Sequence, residues 1–571
     1  MLHRNLLAPL LTLLVALPLS SLARSASNEA AIASAHPLAT EAGFAVLAAG
    51  GNAFDAAVAV SAALAVVEPY SSGLGGGGFW LLHIADGNRN VMVDGRETAP
   101  GRASRDMYLD SAGEVVRDWA INGPAAAGIP GQPAALAHLA GRYGRLPLAR
   151  SLAPAIDLAE NGFAVTERYR RLAVMRRDVL NRSPEARRLF LDNGNVPALG
   201  QRITQPELAA VLGRLAEQGH DGFYRGELAK TLVDGVMNNG GLWSLDDLAG
   251  YQVKEREPVV SQFRGARIIS AAPPSSGGLV LANALNILEH FGDGRIEPAL
   301  FPHLAVEAMR RAYRERALHM GDSDFVEMPI ERLLSKDYAA EQAASIRLDQ
   351  ATPSSSLGEP VTVEQGNHTS HFSIIDAAGN RVAATLSINL PFGSGFVVPG
   401  TGILLNNEMD DFSANPGSPN AYGLVHSEAN AIAPGKRPLS SMTPTFVEWD
   451  GRVAVLGTPG GSRIISMVML GVLEALDGKP PADWVSRPRF HHQYLPDRVQ
   501  GEPDFVGTEA GKSLLVRGHQ MESAGRRYGN MQAILRHPDG QLEAASDPRG
   551  EGEARVAIPT PAAPLAPAAA E

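Results

Sequence analysis

The chain of 571 residues is 45% hydrophobic and 19% charged, the balance of a folded globular protein rather than a disordered one. Its net charge of −11 contains no long single-sign run, so there is no electrostatic footprint for nucleic acid. Cysteine is absent, which removes every disulfide, every thiol nucleophile and every cysteine-ligated metal.

The chain opens as an export signal. Met1-Leu2-His3-Arg4 is a short basic start, residues 6–22 are apolar apart from interruptions such as Pro9 and Pro18, and Ser21-Leu22-Ala23 supplies the small residues that signal peptidase needs. Residues 1–23 are therefore expected to be removed, leaving a periplasmic or secreted protein. A membrane anchor is the alternative, but two prolines and a stretch at the short end of the spanning range speak against it. No later segment is long and apolar enough to span a bilayer, so no stable membrane anchor is expected.

Residues 37–49 and 53–67 read as two Ala-rich helices, with Gly50-Gly51 as a stop and Asn52 as the next N-cap. A glycine-rich turn over 68–78 leads into strands at 79–84 and 90–93. From 124 to about 350 helical patterns dominate, as at 132–143 and 302–319. Past residue 369 the texture changes to short β-patterned runs at 371–375, 381–388, 446–448 and 453–457, separated by Gly-, Pro-, Asn- and Ser-rich loops. Residues 559–571 form a Pro/Ala tail with nothing to pack, read as disordered. No internal repeat is present. Strands early, helices in the middle and strands late predict sheets covered by helices, with both parts feeding one core.

One hairpin carries the chemistry. Residues 369–376 and 380–389 are β-prone and flank Ala377-Ala378-Gly379, a three-residue loop that places Gly379 in the left-handed region. If Asp376 pairs with Asn380, counting outward sets Thr369 opposite Ser387, with Asn389 further along the same face. Opposed Cβ atoms lie about 4.5–5.5 Å apart, close enough for the two hydroxyls to hydrogen-bond. A one-residue slip would undo the alignment. On spacing alone, the favoured reading is that Thr369 merely starts a strand, where threonine is common.

The wider text shifts that balance. Thr369-Ser370-His371-Phe372-Ser373, the run from Gly402 to Ser413 (GILLNNEMDDFS), Lys436-Arg437-Pro438-Leu439-Ser440-Ser441-Met442, the run from Gly457 to Ile464 (GTPGGSRI) and Arg489-Phe490-His491-His492-Gln493 together closely resemble the γ-glutamyltransferase (γ-glutamyltranspeptidase) family. Upstream, residues 68–79 and Asp94-Gly95-Arg96-Glu97-Thr98-Ala99-Pro100 resemble it too, so the likeness spans nearly the whole mature chain. It implies an N-terminal-nucleophile (Ntn) hydrolase of α/β (α+β) class, an αββα sandwich of two stacked, mainly antiparallel sheets between helical layers.

The resemblance also implies a precursor that cuts itself at His368–Thr369. A large subunit, 24–368, and a small one, 369–571, would remain together as a heterodimer. Thr369 would be cleavage point and nucleophile, and its freed α-amine, with a reference pKa of about 7.7–8.0, would be the base. Ser387 would position it; the family usually has threonine there, and commonly at Ser370. Arg96, with Ser440 and Ser441, is implied to hold the α-carboxylate of a γ-glutamyl substrate such as glutathione, a task suited to a planar guanidinium. Asp411, Glu408 and Asn389 are implied to hold its ammonium. Gly460 and Gly461, at the start of a helix expected near Ser462, are implied as the oxyanion hole, and Tyr422, in Asn420-Ala421-Tyr422-Gly423, as part of a lid. Water or an amine would accept the γ-glutamyl group, and no cofactor or metal is implied. A cephalosporin (glutaryl) acylase of the same fold, and an unprocessed non-catalytic homologue, are the rivals.

Other signals lead elsewhere. The glycines of 73–78 fit a dinucleotide pattern but follow a helix and precede a strand, the reverse of the required order. His491 and His492 are adjacent, point oppositely in extended chain and lack a third metal ligand, so packing or hydrogen bonding is expected of them. Glu408, Asp410 and Asp411 lack the alternating ligands and central glycine of a calcium loop. Asn367-His368-Thr369 is a glycosylation sequon by coincidence, since modification there would obstruct the nucleophile. No Gly-x-Ser-x-Gly elbow is present.

Overall fold

The structure is a computed structural model and describes residues 28–292, 296–358, 369–413, 415 and 428–560. His368, Tyr422, residues 1–23 and the tail beyond 560 lie outside the described residues. Among those described, no helix is long and apolar enough to cross a membrane.

The two Ala-rich helices form where expected, at Pro37–Ala48 and Ala53–Val67. Asn52 caps the second: its side chain accepts from the N–H groups of Phe54 and Asp55, while Asp55 accepts from the N–H of Asn52. That reciprocal pair satisfies donors the helix leaves unmade. Every residue of Ala53–Val67 is buried, so the helix is apolar all round rather than striped.

Two antiparallel sheets make the centre. The first runs, in spatial order, Glu553–Ala557, Ala30–Ser34, Ser370–Ile375, Arg381–Ser387, Gly77–Ile84, Arg89–Gly95 and Lys254–Arg256. The second runs Leu542–Ser546, Gln532–Arg536, Arg452–Gly457, Thr445–Trp449, Ala266–Ser270 and Val259–Phe263. Along Gly77–Ile84 the side chains alternate between two cores. Trp80 and Leu82 pack with the helices Ala53–Val67 and Gln132–Tyr143, and Phe79 and Leu81 pack toward the second sheet. Both faces of this strand are covered, which explains a nearly continuous apolar run. The helices Gly277–Glu289, Phe301–His319 and Arg463–Leu476 share the second core. The result is the expected αββα sandwich.

Residues before and after Thr369 interleave in both sheets. Ser370–Ile375 pairs with Ala30–Ser34, Arg381–Ser387 with Gly77–Ile84, and Thr445–Trp449 with Ala266–Ser270. The expectation of one core fed by both parts holds. The reading of 124–350 as helical missed the hairpin Val259–Phe263 to Ala266–Ser270, whose two-residue turn places Arg264 and Gly265 at φ 52° and 76°. An Arg-Gly turn lacks the Asn or Asp that usually advertises this geometry. Also missed was Ala30–Ser34, an alanine-rich strand of weak intrinsic β preference, fixed by neighbours on both sides.

Candidate active site

The hairpin register is the one the sequence predicts. Opposed pairs run from Arg381–Ile375 to Leu386–Ser370, and the Asp376 N–H donates to the Asn380 carbonyl at 3.0 Å. One step further sets Thr369 opposite Ser387. Gly379 adopts φ 86°. The Asp376 carboxylate locks the loop by accepting from the N–H groups of Ala378 and Asn380, and it accepts from the Ala53 N–H at 2.9 Å. The hairpin is thereby tied to the N-terminus of the helix Ala53–Val67, where negative charge is favoured.

Thr369, Ser387, Asn389, Asp411, Ser440, Ser441 and Gly461 line one cleft of about 30 Å³. Thr369 is 5% exposed, and its Oγ1 has no hydrogen-bond partner among the described residues. The cross-strand bond expected between the Thr369 and Ser387 hydroxyls is not formed. Asn389 sits at φ 71°, which turns its N–H back onto Ser387 Oγ at 2.7 Å. Asn389 Nδ2 donates in turn to the Asn407 carbonyl at 2.9 Å, fixing the segment that leads to Glu408.

The glycines before Gly77–Ile84 serve close packing. A Cβ on Gly76 would lie 2.1 Å from the Ser387 carbonyl oxygen, and one on Gly75 would lie 2.1 Å from that of Leu404. Only glycine lets these backbones pass behind the cleft at that distance.

Arg96 follows the strand Arg89–Gly95 and is fully buried. It donates through Nη1 to Glu408 Oε2 at 2.6 Å, through Nη2 to Asp411 Oδ2 at 2.5 Å, and through Nε to the Pro438 carbonyl at 3.3 Å. The cation and the anions assigned to opposite ends of a zwitterion thus pair with each other in this structure. Glu97, beside Arg96 at 3.5 Å, is pushed well above the usual carboxylate range by burial and by Glu408, against the pull of Arg96. Glu408 is pushed up to about 7 by burial, opposed by Arg96 and reinforced by Asp411.

The Lys436–Met442 segment is anchored at its start. Lys436 Nζ donates to the carbonyls of Ala429 and Ala431, and the Arg437 N–H donates to Asp322. Asn430 clasps the two loops, donating to the Asp411 carbonyl and accepting from the Leu439 N–H. Ser440 is held through its backbone by Pro274 and Ser276, leaving Oγ to accept from the Met442 N–H at 3.1 Å. Ser441 Oγ accepts from Arg316 Nη2 at 3.2 Å.

Gly460 and Gly461 adopt φ 147° and 58° ahead of the helix Arg463–Leu476. Their carbonyls accept from the N–H groups of Arg463 and Ile464, while neither glycine N–H donates a hydrogen bond among the described residues. Two free amides at a helix start can stabilise an oxyanion.

The histidines behave as packing groups. His491 bonds Ser466 and Gln493 at 2.9 Å each, and burial drives its pKa down to about 3. His371 stands between the sheets against Gly457, bonds Thr385 at 2.9 Å, and is likewise lowered to about 3 by burial. A third group, His303, Glu307 and His519, brings potential metal ligands together. Its members are spent on one another and on Arg311: His303 Nδ1 lies 2.7 Å from His519 Nε2, and Glu307 accepts from Arg311 at 2.6 Å.

Sequence reasoning gave no role to Glu97, Arg316 or Glu68. Glu97 adjoins Arg96 in a quoted motif, so its position was a usable signal. Arg316 reaches Ser441 from a helix over a hundred residues upstream in the chain, and no local pattern marks it.

An αββα sandwich with a buried threonine at the start of a central strand, sharing one cleft with Gly461, has the arrangement of an Ntn hydrolase. The family model for gamma-glutamyltranspeptidase matches residues 39–557, and the chain belongs to that family. It is 41% identical over 532 residues to the glutathione hydrolase proenzyme of Escherichia coli (strain K12), covering 92% of this chain and 91% of that one. The crystal structure of cephalosporin acylase from Bacillus halodurans superposes with a TM-score of 0.82 at 31% identity, over 92% of this chain and 96% of that chain. The crystal structure of Helicobacter pylori gamma-glutamyltranspeptidase gives a TM-score of 0.55 at 40% identity, over 57% of this chain and 93% of that chain.

Proposed function

We propose that this chain is an exported, self-cleaving glutathione hydrolase and γ-glutamyltransferase. Thr369 Oγ1 attacks the His368 carbonyl, and the scissile nitrogen leaves as the Thr369 amine. Water hydrolyses the ester, freeing His368 as a carboxylate and leaving subunits 24–368 and 369–571 associated. The hydroxyl of Thr369 then attacks the γ-carbonyl of the donor, its proton passing through the α-amine to the departing amine. The N–H groups of Gly460 and Gly461 carry the charge that develops on the carbonyl oxygen. Water or an acceptor amine resolves the γ-glutamyl ester and regenerates Thr369. Residues 1–23 direct the precursor to the periplasm or medium and are removed there, and Tyr422 belongs to the loop that covers the bound donor.

The observation that carries this reading is the cleft itself, which Thr369 lines together with Gly461, Ser440, Ser441 and Asp411, with Arg96 paired to Asp411. An α-carboxylate and an α-ammonium on one carbon call for a cation beside anions, and Arg96, Asp411 and Glu408 supply both. A glutaryl acylase is the second reading, favoured by the superposition on the Bacillus halodurans enzyme. A glutaryl group has no ammonium and would leave Asp411 and Glu408 without a task.

Intact mass of the wild type beside Thr369→Ala tests cleavage: two fragments, the smaller beginning at Thr369, against one uncut chain. A single fragment in both, or a different start, defeats the proposal. Turnover of γ-glutamyl-p-nitroanilide against glutaryl-p-nitroanilide then separates the two substrate readings. Preference for the glutaryl compound would transfer the chain to the acylases.

A further inference from the structure

A second and larger cavity, about 420 Å³, opens beside the oxyanion loop and is lined by Arg168, Arg171, Pro459, Arg526, Arg527 and Arg549. Five guanidinium groups around one hollow are unexpected in a chain of net charge −11. Two of them are already matched. Arg549 donates to Glu502 at 2.6 Å and lies 3.1 Å from Asp547, and Arg527 pairs with Asp504.

The other three are short of negative charge. Arg168 reaches only Glu68 Oε1, at 3.7 Å, and its Nε makes no hydrogen bond among the described residues. Glu551 takes the backbone N–H of Arg168 rather than its side chain. Arg171 and Arg526 have no carboxylate within 4 Å among the described residues. Burial lowers the Arg526 pKa, and the nearby charges of Arg171 and Arg168 lower it further. Like charges gathered in a concave site attract an anion strongly, and guanidinium forks suit a carboxylate.

Two connections place this cavity next to the reacting bond. Pro459 lines it, and Gly461, two residues on, lines the catalytic cleft, so their Cα atoms are at most about 7.6 Å apart. Arg168 also faces Glu68, whose other oxygen accepts from Ser370 at 2.5 Å, the residue after Thr369. The γ-glutamyl end of a donor is claimed by Arg96, Ser440 and Ser441. Whatever is joined through the scissile amide extends from the reacting carbonyl away from that end, and the glycine loop that borders the cleft borders this cavity too. A cavity of this size holds a dipeptide.

Resting on the reaction proposed above, we infer that the cavity of Arg168, Arg171 and Arg526 is a carboxylate-binding subsite for the peptide part of the substrate: the terminal carboxylate of the leaving dipeptide, or of the acceptor that replaces it.

The test compares mature wild type with R171Q, R526Q and the double variant on two donors, γ-glutamyl-p-nitroanilide and γ-glutamyl-3-carboxy-4-nitroanilide. The wild type should have the lower KM for the carboxylated donor, and the double variant should lose about tenfold to a hundredfold of that advantage. KM for the uncharged leaving group should stay unchanged. Equal effects on both donors, or none, overturn the inference while leaving the reaction intact. Inactivity on both donors defeats the reaction instead. In that case calorimetric titration with inorganic phosphate judges the cavity, since a binding step lost in the double variant supports an anion site and its absence in wild type overturns one. Phosphate binding in an active enzyme that shows no preference between the donors identifies a free-phosphate site and overturns the carboxylate assignment.

Discussion

Ser370 and Glu68 share a hydrogen bond of 2.5 Å, which ties the residue after Thr369 to the C-terminal cap of the helix Ala53–Val67. Glu68 is fully buried, raised above its usual range by desolvation, and also accepts from Tyr70. Ser370→Ala removes one of its donors and leaves a buried carboxylate short of partners, so stability should fall by about 1–3 kcal/mol. Ser370→Thr should retain most of it. Urea unfolding midpoints of the three proteins check this, and an unchanged midpoint in the alanine variant would show that the bond contributes nothing.

Arg96 is the only side chain that touches both Glu408 and Asp411 by ion pairing among the described residues. Arg96→Lys keeps the charge but replaces a fork with a point, so it cannot hold both acids at 2.5–2.6 Å. The expected result is a loss in kcat/KM for γ-glutamyl-p-nitroanilide of roughly tenfold to a hundredfold. A variant with wild-type KM would remove Arg96 from the binding of the α-carboxylate.

The pH dependence follows from Glu408. Its folded pKa of about 7 lies above the ordinary 4.5, so the folded chain holds this proton more tightly than the unfolded chain. The associated stability is complete below pH 4.5 and is lost as the pH rises toward about 7. On the proposed function the effect runs the other way, because an ionised Glu408 would attract the ammonium of the donor. KM should therefore fall as the pH rises through about 7, and Glu408→Gln should flatten that limb. With the cleavage proposed above, the kcat profile should carry a separate limb from the freed Thr369 amine at about 7.7–8.0, which the glutamine variant should leave in place. A KM profile identical in the two proteins would exclude Glu408 from binding.

At the glycine pair, Gly461→Ala forces an L-residue into φ 58°, and a Cβ on Gly460 would lie 2.6 Å from Met467 Cε. Each change displaces an N–H from the oxyanion position. The expected cost in kcat is about 10²–10³, with little change in KM. A loss confined to KM would assign the loop to binding instead.

Much of this was readable from local text. Asn52 advertises a helix start and Gly379 a hairpin loop, and the register of that hairpin follows by counting outward from Asp376 and Asn380. The site residues Thr369, Ser387, Asn389, Asp411, Ser440, Ser441 and Gly461 do converge on one cleft. What escaped was set by partners distant in sequence. Alanines at 30–34 become a strand because strands lie on both sides, and Arg96 meets Asp411 only after the chain has folded across more than three hundred residues. The Thr369–Ser387 contact is absent because Ser387 Oγ has other partners: it accepts from the Asn389 N–H, which the left-handed turn brings back onto it, and its hydroxyl hydrogen-bonds Glu408.

The interleaved sheets constrain how such a molecule can be made. Ser370–Ile375 has Ala30–Ser34 on one side and Arg381–Ser387 on the other, and Arg381–Ser387 has Gly77–Ile84 beyond it. Manufactured as independent polypeptides, residues 24–368 and 369–571 would each present long, apolar, unpaired strand edges, which are templates for aggregation. For the cleavage proposed above, topology sets the order of events: a single continuous chain folds first, and scission would follow assembly.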